Sequence, residues 1–155
     1  MVELPPLHEF EVGDARYGVP DPDYDPAYDW GPPTLDERQV RLDSVAGEGS
    51  KLTYTYDFGD DWRHRIVVEK VLPADEGSPV MVPACVDGRR ACPPEDCGGT
   101  WGYEELLAIL ADPSHPEHAA RREWLGRPFD PSAFDTDDFE VNLRNQQLAG
   151  ADDWP

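Results

Sequence analysis

Hydrophobic and polar residues alternate over residues 51–68, and this period of two predicts a β-hairpin. In "KLTYTYDFG" the apolar and aromatic side chains fall on one face, while the threonines and Asp57 fall on the other. A "GDD" turn follows, and the chain returns as "WRHRIVVEKVL" with Trp62, His64 and Ile66 on one face. Two alternating runs joined by a few turn residues form an antiparallel hairpin.

A second, shorter hairpin is predicted near the start of the chain. "LHEFEV" has Phe10 and Val12 on one face and two glutamates on the other, and "GD" turns it into "ARYG". Residues 19–34 then form a loop rich in proline and aspartate. "ERQVRLDSV" is typical of a short strand or turn that leads into the glycine-rich "AGEGS".

Helices are predicted only in the last third of the chain. The apolar positions of "GYEELLAIL" recur at helical spacing, at Tyr103, Leu106, Leu107 and Leu110. "SHPEHAARREWL" is predicted to be a second helix, with Ser114 and Glu117 as its capping box. "DTDDFEVNLRNQQL" is a third, because its acidic first turn suits the helix dipole, and residues 149–155 form a frayed tail.

Strands followed by helices predict an α+β fold, in which an antiparallel sheet with a central hairpin is packed by the C-terminal helices. A chain of 155 residues suits one domain spanning residues 1–155. No apolar run approaches the ~20 residues of a membrane span. The N-terminus lacks the basic and apolar regions of a signal peptide, so a cytoplasmic location is expected.

The formal net charge of −20, from 33 acidic and 13 basic residues, limits the possible partners. Nucleic-acid binding relies on basic side chains that displace counterions from phosphates. Direct binding of DNA or RNA is therefore not expected, and neither is adhesion to an anionic membrane. Solubility explains the charge more simply than an acidic docking surface does.

Three cysteines, Cys85, Cys92 and Cys97, are an odd number in a chain expected in the cytoplasm, which argues against a disulfide framework. Their spacings differ from the paired C-x-x-C pattern of zinc ribbons. His64 together with the cysteines, chiefly Cys85 and Cys97, has the donor types of a tetrahedral zinc site, although nothing in the spacing demands one. No cofactor is expected, and zinc is the alternative.

The residues of the long hairpin allow a structural and a functional interpretation. His64 shares a face with Trp62, where a hydrogen-bonded core histidine is favoured over a metal ligand or base. Asp57, Asp60 and Asp61 are typical turn formers, because an aspartate side chain bonds to its own backbone.

The segment before the first helix also allows both interpretations. Glu95 and Asp96 either act as paired carboxylates in acid–base chemistry or cap the turn that follows them. The glycine-rich "CGGTWG" at a helix start is weak support for anion binding, and its glycines alternatively permit a turn that seats Tyr103. No motif of a known catalytic class is present.

Two long motifs, "YDFGDDWRH" and "PPEDCGGTWGY", resemble those of the plasmid pRiA4b ORF-three-like family, also known as the insertion-element passenger TnpR family. The similarity runs from Leu7 to about Leu148. It implies a compact α+β domain that is often found near mobile elements and has no established activity. The candidate residues within the two motifs are Asp57, Asp60, Trp62, His64, Glu95, Asp96 and Tyr103, and Cys85 and Cys97 fall where the family tends to have cysteine.

The start of the chain departs from the family pattern, in which a strand and a helix usually precede the segment matching "LHEF". A sheet edge and an apolar surface left uncovered invite pairing with another chain. We therefore expect a homodimer, a partner chain that covers the missing N-terminal elements, or marginal stability of the chain in isolation. A resolvase, which the TnpR label suggests, is not expected, because neither a nucleophilic serine among arginines nor a basic helix is visible.

These observations favour a cytoplasmic accessory or interaction protein of mobile-element type over an enzyme. The alternative is a metal-dependent hydrolase that uses His64, the cysteines and the carboxylates of both motifs. Both motifs concentrate glycine, acidic and aromatic residues at the ends of predicted elements. We therefore expect the two motifs to be neighbours in space.

We predict that the protein does not bind duplex DNA at physiological salt. The net charge of −20 repels a phosphate backbone, and no predicted helix is basic along one face. A mobility-shift titration measures this directly. Salt-sensitive binding at on the order of micromolar protein, within the range of non-specific DNA binding, would contradict the prediction.

Overall fold

The structure is a computed structural model that describes residues 8–28, 31–73 and 84–136. Contacts divide the chain into two compact units. The first comprises Met1–Pro73 with Asp96–Gly102, and the second comprises Ala74–Glu95 with Tyr103–Pro155. The assignment of residues 1–155 to a single domain stays a prediction.

Five strands form one sheet in the first unit. They are β1 (His8–Val12), β2 (Ala15–Gly18), β3 (Thr34–Asp36), β4 (Lys51–Tyr56) and β5 (Trp62–Val67). Their order is β3-β2-β1-β4-β5, and every pair is antiparallel except the parallel pair of β2 and β3. The predicted α+β class and both predicted hairpins are confirmed. The β4–β5 hairpin lies near the middle of the sequence but at one side of the sheet. Among the described strands, β5 is therefore an edge strand.

The two faces of the sheet differ in polarity, as the alternation predicts. Phe10 of β1 lies opposite Tyr54 of β4, while its neighbour Glu9 lies opposite Thr55. The hairpin between β1 and β2 turns at Gly13, which takes a left-handed φ of 61° that glycine adopts without strain. A one-residue slip in any strand would exchange the two faces, so the pattern holds the register.

One line of side chains crosses the apolar face from edge to edge, with one residue from each strand: Leu35, Tyr17, Phe10, Tyr54 and His64. The ring centroids of Phe10 and Tyr54 are 4.7 Å apart, and those of Tyr54 and His64 are 5.6 Å apart. Directly opposite pairs are the unit of sheet stabilisation, and an aromatic pair contributes about 0.5–1.5 kcal/mol beyond its burial. This aromatic row therefore couples strands that are distant in sequence.

Residues 37–45, predicted to be a short strand or turn, form turns and no strand, and the strand lies just before them. Thr34–Asp36 forms the parallel strand β3, a 3₁₀ turn follows at Glu37–Gln39, and a single helical turn, α1, spans Leu42–Val45. Asp36 starts the 3₁₀ turn because its carboxylate accepts the N–H of Arg38 at 3.1 Å. Hydrogen bonds from the Arg38 side chain hold the pKa of Asp36 below its usual range.

Two longer helices lie where helical spacing predicts them, α2 (Gly99–Ala111) and α3 (His118–Leu125). Leu106 and Ile109 of α2 are 4 % and 3 % exposed and are the buried apolar residues of the second unit among the described residues. No helix in the described part of the chain is long and apolar enough to cross a membrane. The predicted third helix beyond Thr136 and the tail at 149–155 lie outside the described residues.

The predicted capping box of α3 is wrong. The Ser114 hydroxyl donates to the carboxylate of Asp112 at 2.6 Å instead of capping the helix. Glu117 precedes the helix without a side-chain cap and pairs with Arg121 at 3.1 Å. The proline between Ser114 and Glu117 places the chain in an irregular turn, so the helix starts later than the motif suggests.

Glu37 is a charged residue that lies beside the aromatic row. The Nε2 atom of His8 lies 2.9 Å and 3.0 Å from the two carboxylate oxygens of Glu37. Burial raises the pKa of the neighbouring Tyr54, and the negative charge of Glu37 raises it further. The folded protein therefore favours the neutral phenol of Tyr54.

We predict that Tyr54 makes the protein less stable in alkali. Its folded pKa lies above the ordinary value of about 10, so this contribution is complete below pH 10 and is lost as the pH rises through the folded pKa. Urea midpoints measured between about pH 9 and pH 11 are expected to fall less steeply for Tyr54→Phe than for the parent protein.

Tyr28→Phe is the matched control, because Tyr28 is 82 % exposed and its loss is expected to leave the slope unchanged. Equal slopes for the parent protein and Tyr54→Phe would contradict the prediction.

Candidate functional site

The turn between β4 and β5 is built by its aspartates, as the sequence predicts. Asp57 and Asp61 both take left-handed backbone angles, with φ of 53° and 52°. The carboxylate of Asp57 accepts the N–H groups of Gly59 at 2.9 Å and Asp60 at 3.4 Å. These bonds satisfy the turn internally and leave the carboxylate of Asp60 available for other contacts.

The second motif makes another tight turn directly before α2. Asp96, Gly98 and Gly99 all have positive φ angles, of 55°, 89° and 64°. Helix formation starts at once, because the N–H of Gly102 donates to the carbonyl of Gly98 at 3.0 Å. Of these residues, Gly99 is buried and Asp96 is exposed.

The two motifs meet at this point. The carboxylate of Asp60 accepts the backbone N–H of Gly98 at 3.2 Å. The carbonyl of Asp60 lies so close to Gly99 that a Cβ atom there would overlap the carbonyl oxygen. The expectation that the motifs are neighbours in space is confirmed. We call this contact the hairpin–helix junction.

At the hairpin–helix junction, a carboxylate from a distant part of the chain acts as a cap at the start of α2. The first N–H groups of a helix lack partners within the helix and carry partial positive charge. The carboxylate of Asp60 satisfies the N–H of Gly98, the residue directly before the first helical residue. A cap of this kind contributes about 0.5–2 kcal/mol.

A third glycine, Gly102, also lies in close contact with the backbone at the start of α2. A Cβ atom at Gly102 would overlap the carbonyl oxygen of Cys97, which is one turn earlier in the chain. At all three glycines of "CGGTWG", the backbone angle or a close backbone contact therefore favours glycine. The sequence indicates either an anion-binding loop or a turn that seats Tyr103, and no local pattern indicates the contact of Gly98 and Gly99 with the hairpin.

His64 is not the core residue that the sequence predicts. Its side chain is exposed and contacts the ring of Tyr54 on one side. The apolar pattern of β5 is correct, since Trp62 pairs with Tyr56 and His64 with Tyr54. The prediction fails because β5 lies at the sheet edge, where even an inward-facing side chain stays open to water.

The remaining candidate residues lie in or beside the second motif, apart from Cys85. Glu95 is exposed, and Tyr103 packs its ring edge-on against Phe129 at 6.3 Å. Cys97 is half-buried, with its Sγ 4.0 Å from the carbonyl of Gly99. Cys85 has its Sγ 3.6 Å from the carbonyl of Asp87, and no disulfide joins any of the three cysteines.

The geometry adds no support to the metal alternative. Within residues 8–28, 31–73 and 84–136, no group of three or more histidine, cysteine, aspartate or glutamate side chains could hold a metal ion. A zinc site needs four donors in a tetrahedron, or three with an open position. The absence of a cofactor stays a prediction.

The edge strand β5 forms a second candidate surface, which is exposed and basic. Every residue from Arg63 to Val67 is exposed, and Val67 retains 45 % of its surface. Its sequence "WRHRIV" contains two arginines and a histidine but no acid, in a chain of net charge −20. Arg63 contacts Asp61 at 3.1 Å, and Arg65 takes part in no ion pair among the described residues.

An open apolar cleft lies beside the C-terminal end of β5. It has a volume of about 440 Å³ and is lined by Leu42, Ala46, Val68 and Val71 together with Arg41 and Asp43. Leu42 and Val71 are 63 % and 59 % exposed. The basic strand thus continues into an apolar depression.

Comparisons with known proteins place the chain among relatives of unknown function. Residues 4–138 match a family described as "Plasmid pRiA4b ORF-3-like protein". The uncharacterised protein y4hQ of Sinorhizobium fredii (strain NBRC 101917 / NGR234) is 42 % identical over 124 residues, which cover 77 % of this chain and 58 % of y4hQ. The chain therefore spans less than two thirds of that relative.

A solved structure shares the fold. The crystal structure of MM3350, a protein of unknown function from Methanosarcina mazei Go1, matches with a TM-score of 0.69 at 39 % identity. The match covers 85 % of this chain and 71 % of that chain.

We predict that Gly102→Ala strongly destabilises the protein. Its methyl group would overlap the carbonyl of Cys97, so α2 would have to move away from the turn before it. The expected loss in the free energy of unfolding is about 2–3 kcal/mol, measured by urea unfolding followed by tryptophan fluorescence.

Gly47→Ala is the control, because its Cβ would meet no atom within 4 Å and its φ is not left-handed. This variant is expected to be neutral, or more stable by up to about 1 kcal/mol. Equal unfolding free energies for the two variants would show that the helix start accommodates a side chain.

Proposed function

The chain belongs to the family of plasmid pRiA4b ORF-3-like proteins, and within that family we propose that it acts as an interaction protein rather than an enzyme. It captures an acidic, extended segment of a partner protein along the edge strand β5. The observation that carries this proposal is a basic edge strand, exposed from Arg63 to Val67, on a protein of net charge −20.

The backbone of β5 supports strand addition. Among the described strands, β5 pairs with β4 alone, over the whole length from Trp62 to Val67. An edge strand presents N–H and C=O groups on its outer side, and an extended peptide that adds to this edge gains main-chain hydrogen bonds. The flanking side chains then decide which peptide binds.

The side chains of β5 favour acids on one face of the incoming strand. Arg63 and Arg65 point to the polar face of the sheet, opposite Thr55 and Thr53. Carboxylates on the same face of an added strand would lie across from these guanidinium groups. Opposite charges directly across a strand pair contribute about 0.2–1 kcal/mol each.

The other face of β5 favours apolar residues. Trp62, His64 and Ile66 alternate with the arginines, and the cleft lined by Leu42 and Val71 lies near the end of the strand. A partner strand that alternates acidic and apolar residues would match both faces. We therefore propose this alternating pattern as the recognition signal.

A second copy of the chain is a poorer match for this edge. Two β5 strands from two copies would bring Arg63 and Arg65 beside the same residues of the neighbour, and like charges across a strand pair are destabilising. The proposal therefore favours a partner chain over a homodimer.

We also propose a cytoplasmic accessory role in plasmid or mobile-element biology. What supports this setting is the description of the family after a plasmid reading frame. The partner would then be a protein encoded with the chain on such an element. The metal-dependent hydrolase, by contrast, has no donor cluster among the described residues to recommend it.

The test uses a fluorescent six-residue peptide that alternates glutamate and valine. We predict that it binds the protein and that Arg63→Glu/Arg65→Glu weakens binding by about tenfold, roughly 1.4 kcal/mol over two reversed charges. Fluorescence anisotropy measures both affinities. A proline in place of the central valine is expected to abolish binding, because proline removes a ladder donor.

Two controls separate strand addition from simple charge attraction. Arg89→Glu/Arg90→Glu makes the same charge change at another exposed site and is expected to leave binding unchanged. A peptide with three glutamates followed by three valines has the same composition and is expected to bind weakly. Equal binding of the two peptides, or equal binding by parent and Arg63→Glu/Arg65→Glu proteins, would overturn the proposal.

A further inference from the structure

A cleft in the second unit has the features of a small-molecule site. Its volume is about 840 Å³, and it lies along α3, between the end of α2 and the turn that follows α3. Apolar side chains form most of its lining, including Leu110, Leu125 and Phe129. Ligand pockets typically have volumes of about 300–1,000 Å³, with a mainly apolar lining and a few polar groups.

We propose that this α3 cleft binds a small organic anion with an apolar body, such as an aromatic carboxylate or sulfonate. The polar groups of the lining are Arg122, Arg127 and His118, opposed by the single acid Glu123. Two arginines against one glutamate give the lining residues a formal net charge of +1, counting His118 as neutral, within a chain of net charge −20.

The two arginines are available to a ligand. Both are exposed, and neither takes part in an ion pair among the described residues, although α3 also contains the paired residue Arg121. A guanidinium group offers several donors in a planar fork that fits carboxylate and sulfonate oxygens. An arginine without an acidic partner keeps this fork free for an incoming anion.

His118 adds a polar group of fixed orientation to the lining of the cleft. Its Nδ1 atom lies 3.0 Å from the carbonyl oxygen of Ile109. A carbonyl only accepts, so Nδ1 must carry the proton, and the ring is held in one orientation. The Nε2 atom is then an acceptor in the neutral ring and a donor in the charged ring.

The net charge of the protein selects for small anions over polyanions. Charges separated by more than about 8–10 Å are largely screened at physiological salt. A small anion in the cleft therefore interacts mainly with the charged lining residues, which are Arg122, Arg127 and Glu123. A nucleic acid would extend its phosphates over the surrounding acidic surface and be repelled.

The test compares two dyes of similar shape and different charge. The anionic probe is 8-anilinonaphthalene-1-sulfonate, and the uncharged probe is N-phenyl-1-naphthylamine. Arg122→Gln/Arg127→Gln is expected to weaken binding of the anionic dye by about tenfold or more, because two charge-assisted hydrogen bonds are lost. Its affinity for the uncharged dye is expected to change by less than about twofold, since the apolar lining remains.

Further variants locate the site. Ala119 lines the cleft at an exposed helical position, so Ala119→Phe is expected to fill part of the space and weaken both dyes. Arg89→Gln/Arg90→Gln removes two arginines elsewhere in the same unit and is expected to bind both dyes like the parent protein. Unchanged binding of the anionic dye to Arg122→Gln/Arg127→Gln, or to Ala119→Phe, would overturn the proposal.

Discussion

The close approach of two backbones at the hairpin–helix junction is the constraint around which the first unit is arranged. The carbonyl of Asp60 lies against Gly99, and the carbonyl of Cys97 lies against Gly102, where any Cβ atom would overlap an oxygen. Such a contact cannot be relaxed in small steps, because even alanine exceeds the available space. The turn after β4 and the start of α2 are therefore held together, with the Asp60 carboxylate bonded to Gly98. Asp60 of the first motif and Gly98 and Gly99 of the second motif form this contact.

The sequence predicts the elements that depend on local periodicity and misses those that depend on distant partners. Alternation over β1 and β4–β5 is visible because side-chain direction repeats every two residues. The strand β3 has only three residues and pairs in parallel with β2 across a long loop, so no local pattern indicates it. Similarly, α2 begins at Gly99 although glycine is a poor helix former, because the junction requires glycine there.

The same distinction applies to the candidate site. The motifs were expected to be neighbours, since both gather turn residues at element ends, and Asp60 does contact Gly98. The exposure of His64 to solvent could not be predicted, because periodicity identifies the face of a strand but not its place in the sheet. The α3 cleft was missed for a related reason: Arg122 and Arg127 look like ordinary surface residues until the turn after α3 brings Phe129 beside them.

In a chain with 33 acidic and 13 basic residues, an arginine would be expected to have a carboxylate nearby. Arg16, Arg38 and Arg41 do, whereas Arg65 and the two arginines of the α3 cleft have none within ion-pair distance in the described chain. Because screening limits the reach of the surrounding acids to about 8–10 Å, such arginines keep a local attraction for anions. A polyanion cannot use this local attraction, because the rest of its charges lie near the acidic surface of the protein and are repelled. A high negative charge thus makes isolated arginines selective for short acidic segments and small anions.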